Sequence, residues 1–231
     1  MVINPFTYLK QLIFTKTCVV CEQTSIHEEE KMFCMDCAYV MPYTNHFKSD
    51  TNEAYFRMKG KFPFQKAACM INLDAYTNVK NMIHKLKYEQ SPEIGVKLGK
   101  ILGSKMNKAD WHQGIDFIIP VPIHKTRLKQ RGYNQATMIA KGLSEEIGIP
   151  YSEKALQKHK HTVSQTKLDR KQRIKNVINT FKVINEDFIK GRHVLIVDDV
   201  LTTGATLEAC ANELLKHNDT KCSIATICLA R

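Results

Sequence analysis

Apolar residues follow two rhythms along this chain. Short runs that are apolar almost throughout, KAACMINLD (66–74), DFIIPVP (116–122), VINTFKVI (177–184), HVLIVDD (193–199) and KCSIATICLA (221–230), alternate with stretches in which apolar positions recur every three or four residues. The first rhythm predicts strands buried on both faces and the second predicts helices with one buried side. Helices are expected over 78–90, with Val79, Met82, Ile83 and Leu86 on one face, and after Pro92, with Ile94, Leu98, Ile101 and Leu102. Two more are expected over 132–150, capped by Asn134 and ended by Gly148 and Pro150, and over 204–218. Strands alternating with helices give an α/β fold, a parallel sheet flanked by helices on both faces, in which ligands bind beyond the carboxyl ends of the strands.

The N-terminal quarter breaks this alternation. NHFKSDTNEAYFRMKGKFPFQK (45–66) is polar and reads as hairpin and linker, placing a boundary near residue 60 between an N-terminal unit, 1–60, and the α/β unit, 61–231. MVINPFTYLKQLIFTKT reads as a short helix. Its apolar run is too short for a membrane span, and it lacks the charged start and cleavage site of a secretory leader. A cytoplasmic location is expected, where thiols stay reduced.

That setting bears on eight cysteines. Four fall in CVVCEQTSIHEEEKMFCMDC, as Cys18, Cys21, Cys34 and Cys37. Each C-x2-C forms a knuckle whose two thiolates converge, and the intervening hairpin brings the knuckles together into a tetrahedral site for structural zinc with no open position. Disulfides or a redox pair are the alternatives, and His27 is a spare ligand better placed for solvent. Cys69, Cys210, Cys222 and Cys228 lie in apolar stretches without such spacing and read as small core residues.

The run ending in Asp198 and Asp199 poses a sharper question, because paired carboxylates are costly inside a sheet. They must stand where the strand leaves the core. DDVLTTGAT then supplies the hydroxyls of Thr202, Thr203 and Thr206, a tight turn at Gly204, and a helix starting near Ala205 whose positive end favours an anion. This is a cradle for a phosphate monoester, with the carboxylates addressing sugar hydroxyls or a cation on the same ligand. No lysine follows Gly204 as a P-loop requires, and the dinucleotide fingerprint is absent. The formal net charge of +11, from 34 Lys and Arg against 23 Asp and Glu, favours polyanionic partners, although a basic soluble surface also accounts for it.

VLIVDDVLTTGAT resembles the phosphoribosyl-pyrophosphate (PRPP) motif of type I phosphoribosyltransferases. The resemblance implies that fold. It also implies Asp198 and Asp199 on the ribose hydroxyls as the catalytic pair, Thr202, Thr203, Gly204, Ala205 and Thr206 on the 5-phosphate, and Mg2+ bridging diphosphate and ribose oxygens. IIPVPIHKTRLKQRGYNQA (118–136) resembles a second signature, that of the ComF family, and HKHTVSQTKLDRKQRIKNVINTF (159–181) a third, through Thr162, Gln165, Leu168, Arg173, Asn176 and Phe181. HKLKYE (84–89) resembles a fourth, and the four-cysteine zinc ribbon is typical of ComFC-type members. The chain departs from the pattern at Lys160, where arginine is expected, which keeps the charge and loses bidentate phosphate recognition.

Within the second signature, Val121 in the PVP turn, Arg127 and Arg131 suit the diphosphate, whereas Lys125 and Lys129 read as solvated. His124 reads as ordering its loop, or as an acid–base group. The third signature, basic from Lys158 to Lys175, reads as a flap over the site or as an exposed helix. The resemblance implies a competence protein assisting DNA uptake in natural transformation, binding PRPP beside DNA-processing partners such as a helicase or translocase. The charge is compatible with single-stranded DNA binding, for which Tyr55, Phe56, Arg57 and Tyr88 are candidate stacking and backbone contacts. The alternative is an active phosphoribosyltransferase acting on a nucleobase or another salvage substrate, for which no acceptor pocket is legible.

Overall fold

The computed structural model describes residues 16–23, 25–26, 31–73, 78–89, 91–159 and 180–230. The expected N-terminal helix, His27, Lys160 and nearly all of the third signature lie outside the described residues.

Four strands form one parallel sheet in the order β3 (Ala67–Leu73), β8 (Lys221–Ala230), β7 (His193–Leu201), β4 (Phe117–Pro120). Their side chains alternate between two cores. Ile118, Leu195, Val197 and Ala225 face one cluster, while Phe117, Ile119, Val194, Ile196 and Ile224 face the other. Both faces are apolar because both are covered, as the unbroken runs predict. The first is covered by α3 (Val79–Tyr88), α4 (Pro92–Lys108) and α6 (Gln135–Ile147), through Met82, Leu86, Leu98, Leu102, Ile139 and Leu143. The second is covered by α2 (Glu53–Met58) and α7 (Ala205–Leu214), through Ala54, Met58, Leu207, Cys210 and Leu214. Asn134 caps α6 through the Ala136 N–H at 3.2 Å, and Gly148 ends it in the left-handed conformation. Helices α4 and α6 approach unusually closely: a Cβ on Gly99 would stand 2.1 Å from the Ile139 carbonyl oxygen.

Neither outer strand is left bare. Residues 42–44 run along β3, where the Thr44 N–H donates to the Met70 carbonyl and the Asn72 N–H to the Pro42 carbonyl. Across the sheet, the Ile118 N–H donates to the Pro150 carbonyl and the Ser152 N–H to the Ile118 carbonyl. Covered edges leave no template for pairing with another chain.

Two expectations are corrected. The segment read as hairpin and linker contains a 3-10 turn, His46–Lys48, and the helix α2. Asn52 nucleates that helix by accepting the Tyr55 N–H at 3.0 Å, while its amide donates to the carbonyls of His46, Ser49 and Ala67. Only Ala54 and Met58, one turn apart, are buried, so the polar surroundings mask the period. The strand expected over 177–184 is also not part of the main sheet. β6 (Phe181–Val183) pairs antiparallel with β5 (Leu156–Lys158) in a separate ribbon, burying Phe181 and Val183 and exposing Lys182. Burial on one face is what an alternating triplet supports.

The cysteine unit is built from a short antiparallel pair, β1 (Lys16–Thr17) and β2 (Ser25–Ile26), and from α1 (Met35–Tyr39). It docks on the first core: Cys18, Val20, Ile26 and Met32 join the cluster containing Met82 and Ile94, and Asn81 on α3 donates its amide to the Val20 carbonyl at 3.2 Å. Among the described residues, no helix is long and apolar enough to cross a membrane.

Candidate functional site

Strand β7 keeps its apolar side chains in the core through Val197 and then changes to Asp198 and Asp199, both only partly exposed. There the sheet's carboxyl edge opens into a cleft of about 550 Å3. The Asp199 N–H donates to Asp198 Oδ1 at 2.8 Å, and Lys87 Nζ on α3 lies 3.1 Å from Asp199 Oδ2. Lys158, at the end of β5, lines the opposite wall. Burial, and then the charge of Asp199, push the Asp198 carboxyl up to about 8, while the Asp199 N–H, Lys87 and Lys158 pull in the other direction. Burial also pushes the Lys158 ammonium down, with Arg127 adding to the effect and Asp198 opposing it. Burial and the neighbouring acid thus disfavour charge on Asp198, while Asp199 is paired with Lys87.

The next turn brings Thr202 and Thr206 to the cleft. Thr203, Gly204 and Ala205 form the turn behind them: the Thr203 hydroxyl accepts the Ala205 N–H at 3.4 Å, and Gly204 takes φ +80° at the start of α7. A Cβ at Gly204 would stand 2.3 Å from Met58 Sδ, so the turn is pressed against α2. Arg57 of the same helix donates to the Thr202 carbonyl at 3.0 Å and to the Ala230 carbonyl, tying the turn to the end of β8.

The facing wall comes from the segment after β4. Val121, His124, Arg127 and Arg131 line the cleft, whereas Lys125 and Lys129 point to solvent. His124 caps α5 (Lys125–Arg131), its Nδ1 accepting the Thr126 N–H at 3.2 Å. Arg131 donates to Gln135 Oε1 at 2.7 Å and stacks over Tyr88, 5.4 Å from the ring centroid. The Tyr133 hydroxyl donates to the Leu86 carbonyl at 2.6 Å, fixing the end of α3, and so Lys87, against this wall. Lys87 stands in HKLKYE, Lys158 opens the basic flap segment and Arg57 is a candidate DNA contact, but the sequence does not place the three together, because their convergence is tertiary.

The cysteine cluster is a separate centre. The four Sγ atoms of Cys18, Cys21, Cys34 and Cys37 all lie within 4.8 Å of one another, with Cys21 and Cys34 at 3.9 Å. Zn–S bonds of about 2.3 Å in a tetrahedron require S–S edges near 3.8 Å, so this set fits a zinc ribbon. Three of the four cysteines are buried, which leaves the metal position closed. Cys69, Cys210, Cys222 and Cys228 are fully buried core residues, as expected.

Comparison with known proteins agrees with this arrangement. Residues 128–231 match the phosphoribosyl transferase domain. The chain is 28% identical over 213 residues to Competence protein F of Haemophilus influenzae, covering 88% of this chain and 92% of that one. It carries a phosphoribosyl transferase domain and has homologues of the ComF type. It is also similar to DNA utilization protein YhgH of Escherichia coli O157:H7, 31% identical over 64% of this chain and 65% of that one, so the matched part spans about two thirds of that relative. Competence protein ComFC of Bacillus subtilis is 28% identical over 43% of this chain and 38% of its own length. A parallel sheet flanked by helices carries this phosphoribosyl transferase domain, with the four-cysteine unit before it.

Proposed function

We propose that this protein assists DNA uptake and use in natural transformation, and that the cleft at the end of β7 binds PRPP. The observation that carries the reading is the order of groups around one cavity: an acidic pair, a hydroxyl-lined helix start one turn on, and two arginines facing them. Asp198, holding its proton, donates to one ribose hydroxyl, and Asp199, paired with Lys87, accepts from the other. Thr202, Thr206 and the N–H groups of the first turn of α7 hold the 5-phosphate. Arg127 and Arg131 address the diphosphate, Arg131 with its geometry fixed by Gln135 and Tyr88. When bound with the ligand, Mg2+ supplies charge neutralisation on the diphosphate. Zinc in the four-cysteine site is structural.

Single-stranded DNA is the proposed macromolecular partner. The net charge of +11 supports it, as does the rim of the cleft, where the ring of Tyr88 is 57% exposed beside Arg131 and packs on His84. Thermal melts with PRPP and Mg2+ test the cleft: the native protein shifts upward and an Asp198→Asn, Asp199→Asn double variant does not. No shift in the native protein removes the ligand assignment. Binding to oligothymidylate that weakens steeply between low and high salt tests the DNA partner, and salt-insensitive binding removes it.

An active phosphoribosyltransferase is the second reading. It is favoured by an apolar wall, Leu73 and Ile83, that lines the cleft close to Asp199 and offers a surface for a planar acceptor. Release of diphosphate from PRPP on addition of a nucleobase decides for it, and its absence across the nucleobases decides against.

A further inference from the structure

A second cavity, sharing no lining residue with the cleft, lies where residues 43–48 meet the last turn of α4. It measures about 210 Å3 and is lined by two aromatic residues, Tyr43 and Phe47, and three lysines, Lys48, Lys105 and Lys108. Lys105 is the innermost, its Nζ 3.5 Å from the centroid of the Tyr43 ring. The ion pairs among the described residues engage Lys61, Lys85, Lys87, Lys100 and Lys216, and leave these three lysines without a carboxylate.

Part of this arrangement has an ordinary cause. Lys105 and Lys108 sit in the last turn of α4, where the negative end of the helix dipole favours cations by about 0.3–1 kcal/mol each. That explains neither Lys48, which arrives from a different segment, nor the partial burial of Lys105 against a ring. Burial, then Lys108 and Lys48, push the Lys105 ammonium down, so the three cations work against one another as they stand. Tyr43 adds a hydroxyl that burial keeps protonated and able to donate. Three lysines, a neutral donor and two aromatic rings around one cavity together form a site suited to an anion.

We propose that this cavity binds a phosphoryl group, carried by a small phosphate ester or by a nucleic-acid chain, independently of the β7 cleft. The test uses the zinc-loaded full chain and three probes: inorganic phosphate, thymidine 5′-monophosphate, and an oligothymidylate without terminal phosphate. Binding is followed by calorimetry and by the fluorescence of Trp111, the single tryptophan, whose ring lies 5.6 Å from that of Phe47. A Lys48→Gln, Lys108→Gln variant changes exposed side chains and keeps the fold. It is expected to weaken binding by about tenfold or more, as the loss of charged hydrogen bonds implies, while Arg127→Gln, which weakens phosphate binding at the cleft, leaves the Trp111 response unchanged. A Lys105→Gln variant is expected to show the same loss. Response to phosphate and the mononucleotide identifies a small-molecule source, and response to the oligonucleotide identifies a chain. The proposal is overturned if no probe binds, if the lysine variants bind as the native protein does, or if only Arg127→Gln abolishes the signal.

Discussion

The four-cysteine unit and the end of β7 face the same electrostatic problem and solve it differently. Each crowds acidic groups of one kind into a small space, four thiols in one case and two carboxyls in the other. The thiols are closed off and offer every ligand position inward, so a cation placed there stays and holds the unit together. The carboxyls open onto a cleft and already have protein cations, Lys87 and Lys158, in attendance. Closure makes the first a staple. Openness with partial compensation makes the second exchangeable.

The largest effect expected from this contrast is at the staple. Cys34→Ser removes one of four metal ligands and a buried core member, so metal content falls from one zinc per chain and the melting temperature drops by roughly 10 °C or more, several kcal/mol for a chain of this size. Metal analysis and calorimetry on the same sample check it. An unchanged melting temperature in a metal-free variant would show that the unit is not a staple.

At the cleft, the Asp198→Asn, Asp199→Asn change leaves zinc content untouched and removes the melt shift given by PRPP and Mg2+. That shift is expected to be about 2.7 kcal/mol at a hundredfold excess over Kd. Gly204→Ala forces a side chain onto Met58 at a positive φ and is expected to cost roughly 1–3 kcal/mol, with weaker PRPP binding. Urea melts and ligand titration check both effects.

A further effect is in pH dependence. The Asp198 carboxyl titrates near 3.8 in the unfolded chain and near 8 in the folded protein, so between these values the native state holds a proton that the unfolded state has lost. Stability from this group is full below the lower value and is lost as pH rises through the upper one. Native protein free of ligand should therefore lose stability between pH 5 and pH 8 relative to Asp198→Asn. Parallel slopes for the two proteins would contradict the proton assignment.

The acidic pair and the threonine–glycine turn were legible because their signal is local: an apolar strand that changes to acid, then hydroxyls and glycine, within nine residues. The cysteine knuckles were legible for the same reason. Lys87, Lys158 and Arg57 arrive from three other elements, and the local sequence around each does not show that they meet at the end of β7. The helix carrying Arg57 was missed because its core face is two residues wide. A visible signal went unread in Gly95, Gly99 and Gly103, spaced one turn apart, which lets α4 approach α6 closely.

The position of β8 governs how this molecule is made. It lies between β3 and β7, yet of the four sheet strands it leaves the ribosome last. At roughly 5–20 residues per second, β3 waits on the order of ten seconds or more for its partner. Throughout that interval the edge of Ala67–Leu73 that β8 will pair stays unpaired, so the nascent chain carries an apolar strand open to misassociation until translation reaches Lys221–Ala230.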